Sequence, residues 1–271
     1  MGFPYWLEKP LQRGCDWLYT NIPQGLPSRQ RIEECKIVSH RGEHDNKRLY
    51  ENTLPAFESL LGKGIWGIEF DIRWTQDLVP VVFHDADCKR LFGSDIRIAE
   101  ITAKKLQAQF PKIPLLEEVI QRFGKKFHFM VETKTERYPD PAYQNQVLQE
   151  LFVDLEPKTD YHFISLDPEM FQFVQFVSND TFLPVAEFNG KQISELSIQK
   201  GYGGITGHYL LLTDEIVDKQ HQAGKQTGTG FISSRNCLCR ELNRGIEWIF
   251  TNNALELQAI HQTLLGDAKS C

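Results

Sequence analysis

Five short segments decide the fold: Tyr161-His162-Phe163-Ile164-Ser165, Phe182-Leu183-Pro184-Val185-Ala186, Gly203-Gly204-Ile205-Thr206, Lys225-Gln226-Thr227-Gly228-Thr229 and Glu247-Trp248-Ile249-Phe250. They begin 21, 21, 22 and 22 residues apart, close to the shortest practical strand–loop–helix unit. The segments at 161 and 247 read as strands from their aromatic and β-branched residues. Those at 182, 203 and 225 carry Pro or Gly inside and are the poorest strand formers of the set. Helical signals lie between them. Thr213–Gln222 opens with Thr213-Asp214-Glu215, a capping residue and an acidic first turn. Gly224 and Gly245 punctuate returns from helix to strand.

The alternation continues upstream. Strand signals fall at 36–40, 65–72, 79–84 and 127–132, and helical patterns at Asn52–Leu61 and Leu115–Phe123. With 79–84 taken as an extension after the second strand, eight βα units fit into the roughly 235 residues from position 36. The expected fold is α/β: a (β/α)8 TIM barrel over 36–271, with a short insertion after the second strand and an N-terminal helical extension over 1–35. An open doubly wound sheet is the alternative that the poor strands allow. In the extension, Trp6, Leu7, Leu11, Trp17 and Leu18 read as an apolar stripe packed across one end of the barrel. Contact with a membrane surface is the second reading of that stripe.

Composition narrows the function classes. The 271 residues are 41% hydrophobic and 24% charged, ordinary for a soluble globular chain. Thirty-six acidic against 30 basic residues give a net charge of −6, which argues against broad binding to nucleic acid or anionic membrane. The six cysteines form no CxxC and no Cys/His zinc pattern. Cys237 and Cys239, read on an extended strand, face opposite ways and are expected to be free thiols in a reducing compartment. No apolar run approaches the ~20 residues of a spanning helix. The first residues lack a basic start followed by an apolar stretch, so a cytoplasmic location is expected.

In a barrel of this kind the chemistry sits at the C-terminal ends of the strands. His40 and Arg41 close the first strand, Glu69 and Asp71 the second, Glu132 and Lys134 the next main one. Residues two apart on a strand share a face, so Glu69 pairs with Asp71, and Glu132 with Lys134. Three carboxylates at one mouth repel one another unless a hard divalent cation, Mg²⁺ or Ca²⁺, joins them. Exposed charges paired with Lys or Arg are the plainer reading of each residue taken singly. His40 and His84 each end an apolar strand, and histidine exchanges protons near neutral pH. Asp85 follows His84 and either fixes its tautomer or caps the next turn. Arg41 and Lys134 supply positive charge for an anion. Together these groups suit phosphoryl transfer.

These residues lie in a set of spaced motifs. They are His40-Arg41-Gly42, Glu51-Asn52-Thr53-Leu54-Pro55-Ala56-Phe57, Gly67-Ile68-Glu69-Phe70-Asp71, Pro80-Val81-Val82-Phe83-His84-Asp85, Ile113-Pro114-Leu115-Leu116-Glu117-Glu118-Val119, Val131-Glu132-Thr133-Lys134 and Gly245-Ile246-Glu247-Trp248-Ile249-Phe250-Thr251-Asn252. In this order they resemble the glycerophosphodiester phosphodiesterase family over about residues 36–262. The resemblance implies a metal-dependent enzyme that cleaves glycerophosphodiesters to sn-glycerol 3-phosphate and an alcohol. It implies one divalent cation, Mg²⁺ or Ca²⁺, on Glu69, Asp71 and Glu132. It makes His40 and His84 the general acid and base without saying which is which, and puts Arg41 and Lys134 on the phosphate. Glu51, Asn52 and Asp85 stand behind them as supports. The nucleophile is left open between water and the substrate's own glycerol hydroxyl.

The chain departs from the family pattern in three places. Gly228-Thr229-Gly230-Phe231 replaces a Trp-Thr-Val-Asn stretch, so an aromatic wall of the alcohol pocket is lost or replaced by Phe231. Thr251-Asn252 replaces Thr-Asp. The segment 86–112 is short and is expected to form a lid or side wall; a smaller wall would admit a lysophospholipid, the alternative substrate. Glu187, Tyr209 and Phe231 are candidate pocket residues. A catalytically silent phosphodiester-binding module on the same barrel is the non-enzymatic alternative.

Overall fold

Every strand signal in the sequence is a strand in the computed structural model, which describes residues 19–268. They are β1 Lys36–His40, β2 Gly67–Trp74, β3 Pro80–Val82, β4 His128–Thr133, β5 Tyr161–Ser165, β6 Phe182–Ala186, β7 Gly204–His208, β8 Gln226–Gly230 and β9 Trp248–Thr251. Eight of them pair in parallel around a closed barrel, in the order β1-β2-β4-β5-β6-β7-β8-β9 and back to β1. The short β3 lies antiparallel on β2. The barrel is closed, so the open-sheet alternative falls. The stripe formed by Trp6, Leu7, Leu11, Trp17 and Leu18 lies outside the described residues.

The glycines that weaken the strand signal are demanded by the barrel. A Cβ on Gly204 would stand 1.9 Å from the Gln226 carbonyl oxygen, and one on Gly228 2.9 Å from the Phe250 ring. Close approach across β7, β8 and β9 is obtained at the cost of strand propensity.

Strand alternation sorts the side chains into two layers. Ile37, Ile68, Phe70, Ile72, Phe129, Val131 and Phe163 point outward and pack in the large core under the helices. Val38, Met130, Ile164, Leu183, Trp248 and Phe250 form a separate apolar cluster that fills the lumen. This plug supports the polar groups one step further along each strand. The segment after β3 builds a third apolar cluster from Val81, Phe83, Cys88, Ile98, Ile101, Leu106 and Ile113. It carries the short helices Lys89–Phe92 and Ala103–Gln109.

One local reading is corrected. Cys237 and Cys239 lie on the helix Arg235–Asn243, capped by Ser234, and not on an extended strand. Both are buried, as is Cys88, and Cys35 is half-buried; Cys35, Cys88 and Cys239 are free thiols.

Candidate active site

Register brings the candidate residues together before any side chain is considered. His40 is aligned with Glu69 across β1 and β2, and Asp71 with Glu132 across β2 and β4. Each pair lies on adjacent strands at the C-terminal mouth. Glu69, Asp71 and Glu132 are buried and offer oxygen atoms that all lie within 4.8 Å of one another.

The cluster is framed by two cations. Lys134 Nζ stands 2.5 Å from Asp71 Oδ1 and 2.6 Å from Glu132 Oε1. Arg41 Nε lies 3.2 Å from Asp71 Oδ2, and its Nη1 donates to Glu51 Oε1 at 3.0 Å. Arg41 holds φ +59°, a left-handed conformation that costs a non-glycine residue free energy. Its backbone N–H lies 2.9 Å from the Glu69 carbonyl and 3.2 Å from Glu69 Oε2. Asn52, also left-handed at φ +57°, donates to Asp71 Oδ2 at 2.7 Å.

These charges compete with burial. Burial and the neighbouring Asp71 raise the Glu69 carboxyl well above the ordinary range. Burial would raise Asp71 too, but Lys134 and Arg41 outweigh it and hold Asp71 well below its usual value. At Glu132, burial outweighs Lys134 and the carboxyl is raised. Burial opposes the charge on Lys134 as well; Asp71 and Glu132 reverse that and raise the ammonium.

The two histidines are held differently. His40 Nδ1 is 2.7 Å from Asn252 Oδ1, and its Nε2 is 3.6 Å from Glu69 Oε2. Burial, then the charge on Arg41, lower its pKa well below the ordinary histidine value. His84 Nδ1 is 2.7 Å from Asp85 Oδ1. Asp85 Oδ2 accepts from Arg90 Nε at 2.6 Å. The Arg90 fork also donates to both oxygens of Glu51, at 3.0 and 2.5 Å. Asn46 donates to Glu51 as well. Burial is overcome by Arg90, Arg41 and Asn46, and Glu51 is lowered to about 2. Arg90 therefore joins His84–Asp85 to Glu51–Arg41.

The candidate pocket residues divide. Phe231 sets its ring edge-on to His40, with centroids 4.7 Å apart. With His208, Ser233 and Asn252 it borders a cavity of about 90 Å³ beside His40. Tyr209 is fully buried against Tyr19 and His208, a packing position and not an open wall. Glu187 is exposed in the turn after β6, its N–H donating to Asn189. A larger hollow of about 480 Å³ lies among Gln76, Asp95, Arg97 and Lys105, apart from these groups. Sequence reading passed over Arg90, Arg73 and Glu136, although alternation from Asp71 along β2 points to Arg73.

The carboxylates fit a hard cation. Among the described residues, Glu69 Oε1 is buried and accepts no hydrogen bond, and Asp71 Oδ1 meets only the Lys134 ammonium. Oxygen donors of this kind suit Mg²⁺ or Ca²⁺ and not a thiophilic metal.

The glycerophosphoryl diester phosphodiesterase family model matches residues 40–181. A glycerophosphodiester phosphodiesterase of Bacillus altitudinis is 31% identical over 129 residues, 43% of this chain and 52% of that protein. The chain spans about half the length of such curated relatives. Among solved structures, a glycerophosphodiester phosphodiesterase from Thermotoga maritima matches with a TM-score of 0.68 at 22% identity, covering 83% of this chain and 97% of that one. An Oleispira antarctica phosphodiesterase, solved with its product sn-glycerol-3-phosphate, matches with a TM-score of 0.69 at 18% identity, covering 84% and 96%. At these identities the structures speak for the barrel alone. The family model spans more than half of the sequence and includes both histidines and all three clustered carboxylates, so the chain belongs to the glycerophosphoryl diester phosphodiesterase family.

Proposed function

We propose that the protein hydrolyses glycerophosphodiesters to sn-glycerol 3-phosphate and an alcohol. The observation that carries this reading is the buried Glu69–Asp71–Glu132 cluster with His40, Arg41 and Lys134 against it. Glu69, Asp71 and Glu132 would hold one divalent cation, Mg²⁺ or Ca²⁺, which when bound stabilises charge on the phosphoryl oxygens. Arg41 and Lys134 are the cations nearest that position and take the non-bridging oxygens.

Hydrogen bonding supports an assignment of the histidines. Asn252 Oδ1 can only accept, so His40 carries its proton on Nδ1 and keeps a lone pair on Nε2. That suits a base, taking the proton of an attacking water or glycerol hydroxyl. His84 donates from Nδ1 to the Asp85 carboxylate, which fixes its tautomer, and it is the histidine left to protonate the leaving alkoxide.

Release of glycerol 3-phosphate from glycerophosphocholine tests the reading, with Mg²⁺, with Ca²⁺ and with EDTA. Turnover is expected with metal, and is expected to be abolished by EDTA, by Glu69→Ala and by His84→Ala. Lysophosphatidylcholine serves as a second substrate, because Leu166 and Phe188, exposed after β5 and β6, offer apolar surface at the same end of the barrel. Silence toward both, and toward other head groups, would leave a binding module.

A further inference from the structure

On β2 the alternation that places Glu69 and Asp71 runs one step further, to Arg73, and the loop after β4 sets Glu136 beside it. Arg73 Nε and Nη2 both donate to the His84 carbonyl oxygen, at 3.0 and 2.9 Å. Its Nη1 donates to Glu136 Oε2 at 3.1 Å. The other Glu136 oxygen accepts the backbone N–H of Trp74 at 3.2 Å. Both side chains are largely buried, at 12% and 16% exposure, so the fork is held from every side and has little freedom to serve solvent.

We propose that Arg73, oriented by Glu136, is a positioning residue for the reaction, setting where the His84 imidazole stands by gripping its main chain. His84 follows β3, the short antiparallel strand outside the barrel closure, so barrel pairing alone does not fix it. A bidentate grip from a barrel strand ties that outlying position to the same β2 that carries Glu69 and Asp71. Lysine supplies one point contact where arginine supplies a planar fork, so the two are not equivalent here. The inference rests on the proposed reaction for its kinetic consequence, but not for its structural one.

The test compares wild type with Arg73→Met, Arg73→Lys and Glu136→Gln. Turnover of glycerophosphocholine and the ¹⁵N resonances of the His84 ring are measured on the full chain. Misplacing a reacting group by about 1 Å costs about 100-fold. Arg73→Met is therefore expected to lower kcat by about 10- to 100-fold, with KM within about twofold of wild type. The His84 ring signals should shift or broaden, and Arg73→Lys should recover part of both effects. If Arg73→Met does not fold, Glu136→Gln carries the same readouts with a smaller loss. A folded variant with unchanged kcat, or a loss of kcat with undisturbed His84 signals, overturns the proposal. If wild type itself turns over no glycerophosphodiester, the proposed function fails, while displaced His84 signals in the variants still support the grip.

Discussion

At the scale of single residues, the site depends on which atoms have partners. His40 shows this most directly. Its Nδ1 faces an amide oxygen where a carboxylate would be the stronger partner, so Asn252 fixes the tautomer without adding charge. Asn252→Ala leaves that ring nitrogen without its acceptor and frees the tautomer. General base catalysis supplies about 10²–10⁴ in rate, and a freed tautomer forfeits part of it, about 10- to 100-fold in kcat. Steady-state kinetics on glycerophosphocholine reads the effect, and an unchanged kcat would remove Asn252 from the mechanism. Carboxylates, histidines and cations were legible in the sequence because period-two spacing puts them on one face. Asn252 was visible only as a departure, since nothing in Thr251-Asn252 announces contact with a histidine 212 residues away.

Elements carry the second level of organisation. The barrel strands set the cluster by register, while the segment after β3 contributes through the four-residue helix Lys89–Phe92. Expected as a lid or wall, this segment packs its own apolar cluster and sends Arg90 back to Glu51 and Asp85. Arg90→Ala would leave Glu51, only 3% exposed on its side chain, with Arg41 and Asn46 alone. The cost is about 1–3 kcal/mol for a buried group losing a partner, read by urea unfolding. A pH effect accompanies it. Glu51 is depressed to about 2 when folded, so its contribution is present above the ordinary carboxyl range and is lost as pH falls toward 2. Losing Arg90 raises that value, and the acid-unfolding midpoint is expected at higher pH than in wild type. An unchanged midpoint would mean that Arg41 alone sustains the charge. Sequence spacing exposed the repeating strands and could not expose this bridge. A loop's return path depends on packing against Val81 and Phe83, and no periodicity encodes that.

Across the whole molecule, the two ends of the barrel hold opposite kinds of polar group. The C-terminal mouth gathers charge, and the N-terminal end keeps two histidines neutral. His128 Nδ1 lies 2.9 Å from the Thr159 carbonyl, so it carries that proton and offers Nε2 to His162 Nδ1 at 2.8 Å. Trp66 stacks on His128, Trp248 stands edge-on to His162, and Lys36 lies over both indoles. Burial, chiefly, lowers His128 to about 4 and His162 to about 3; Lys36 adds to both, Lys158 adds at His162, and Asp160 and Asp180 partly oppose. The unfolded chain takes up protons near pH 6.5, before the folded chain does. This arrangement therefore costs no stability at neutral pH and progressively more as pH falls from about 6.5 toward 4. At pH 5 the loss for His128 is about 2 kcal/mol, an upper value for a group this well buried. Urea midpoints at pH 7 and pH 5 measure it in the full chain. His162→Gln should flatten the difference between the two pH values, because it removes one of the histidines that must stay uncharged. The same difference in wild type and variant would place the acid sensitivity elsewhere, with His40 at the opposite mouth the next group whose proton uptake is pushed below its ordinary range, whereas Glu51 and Asp71 act only below the ordinary carboxyl range.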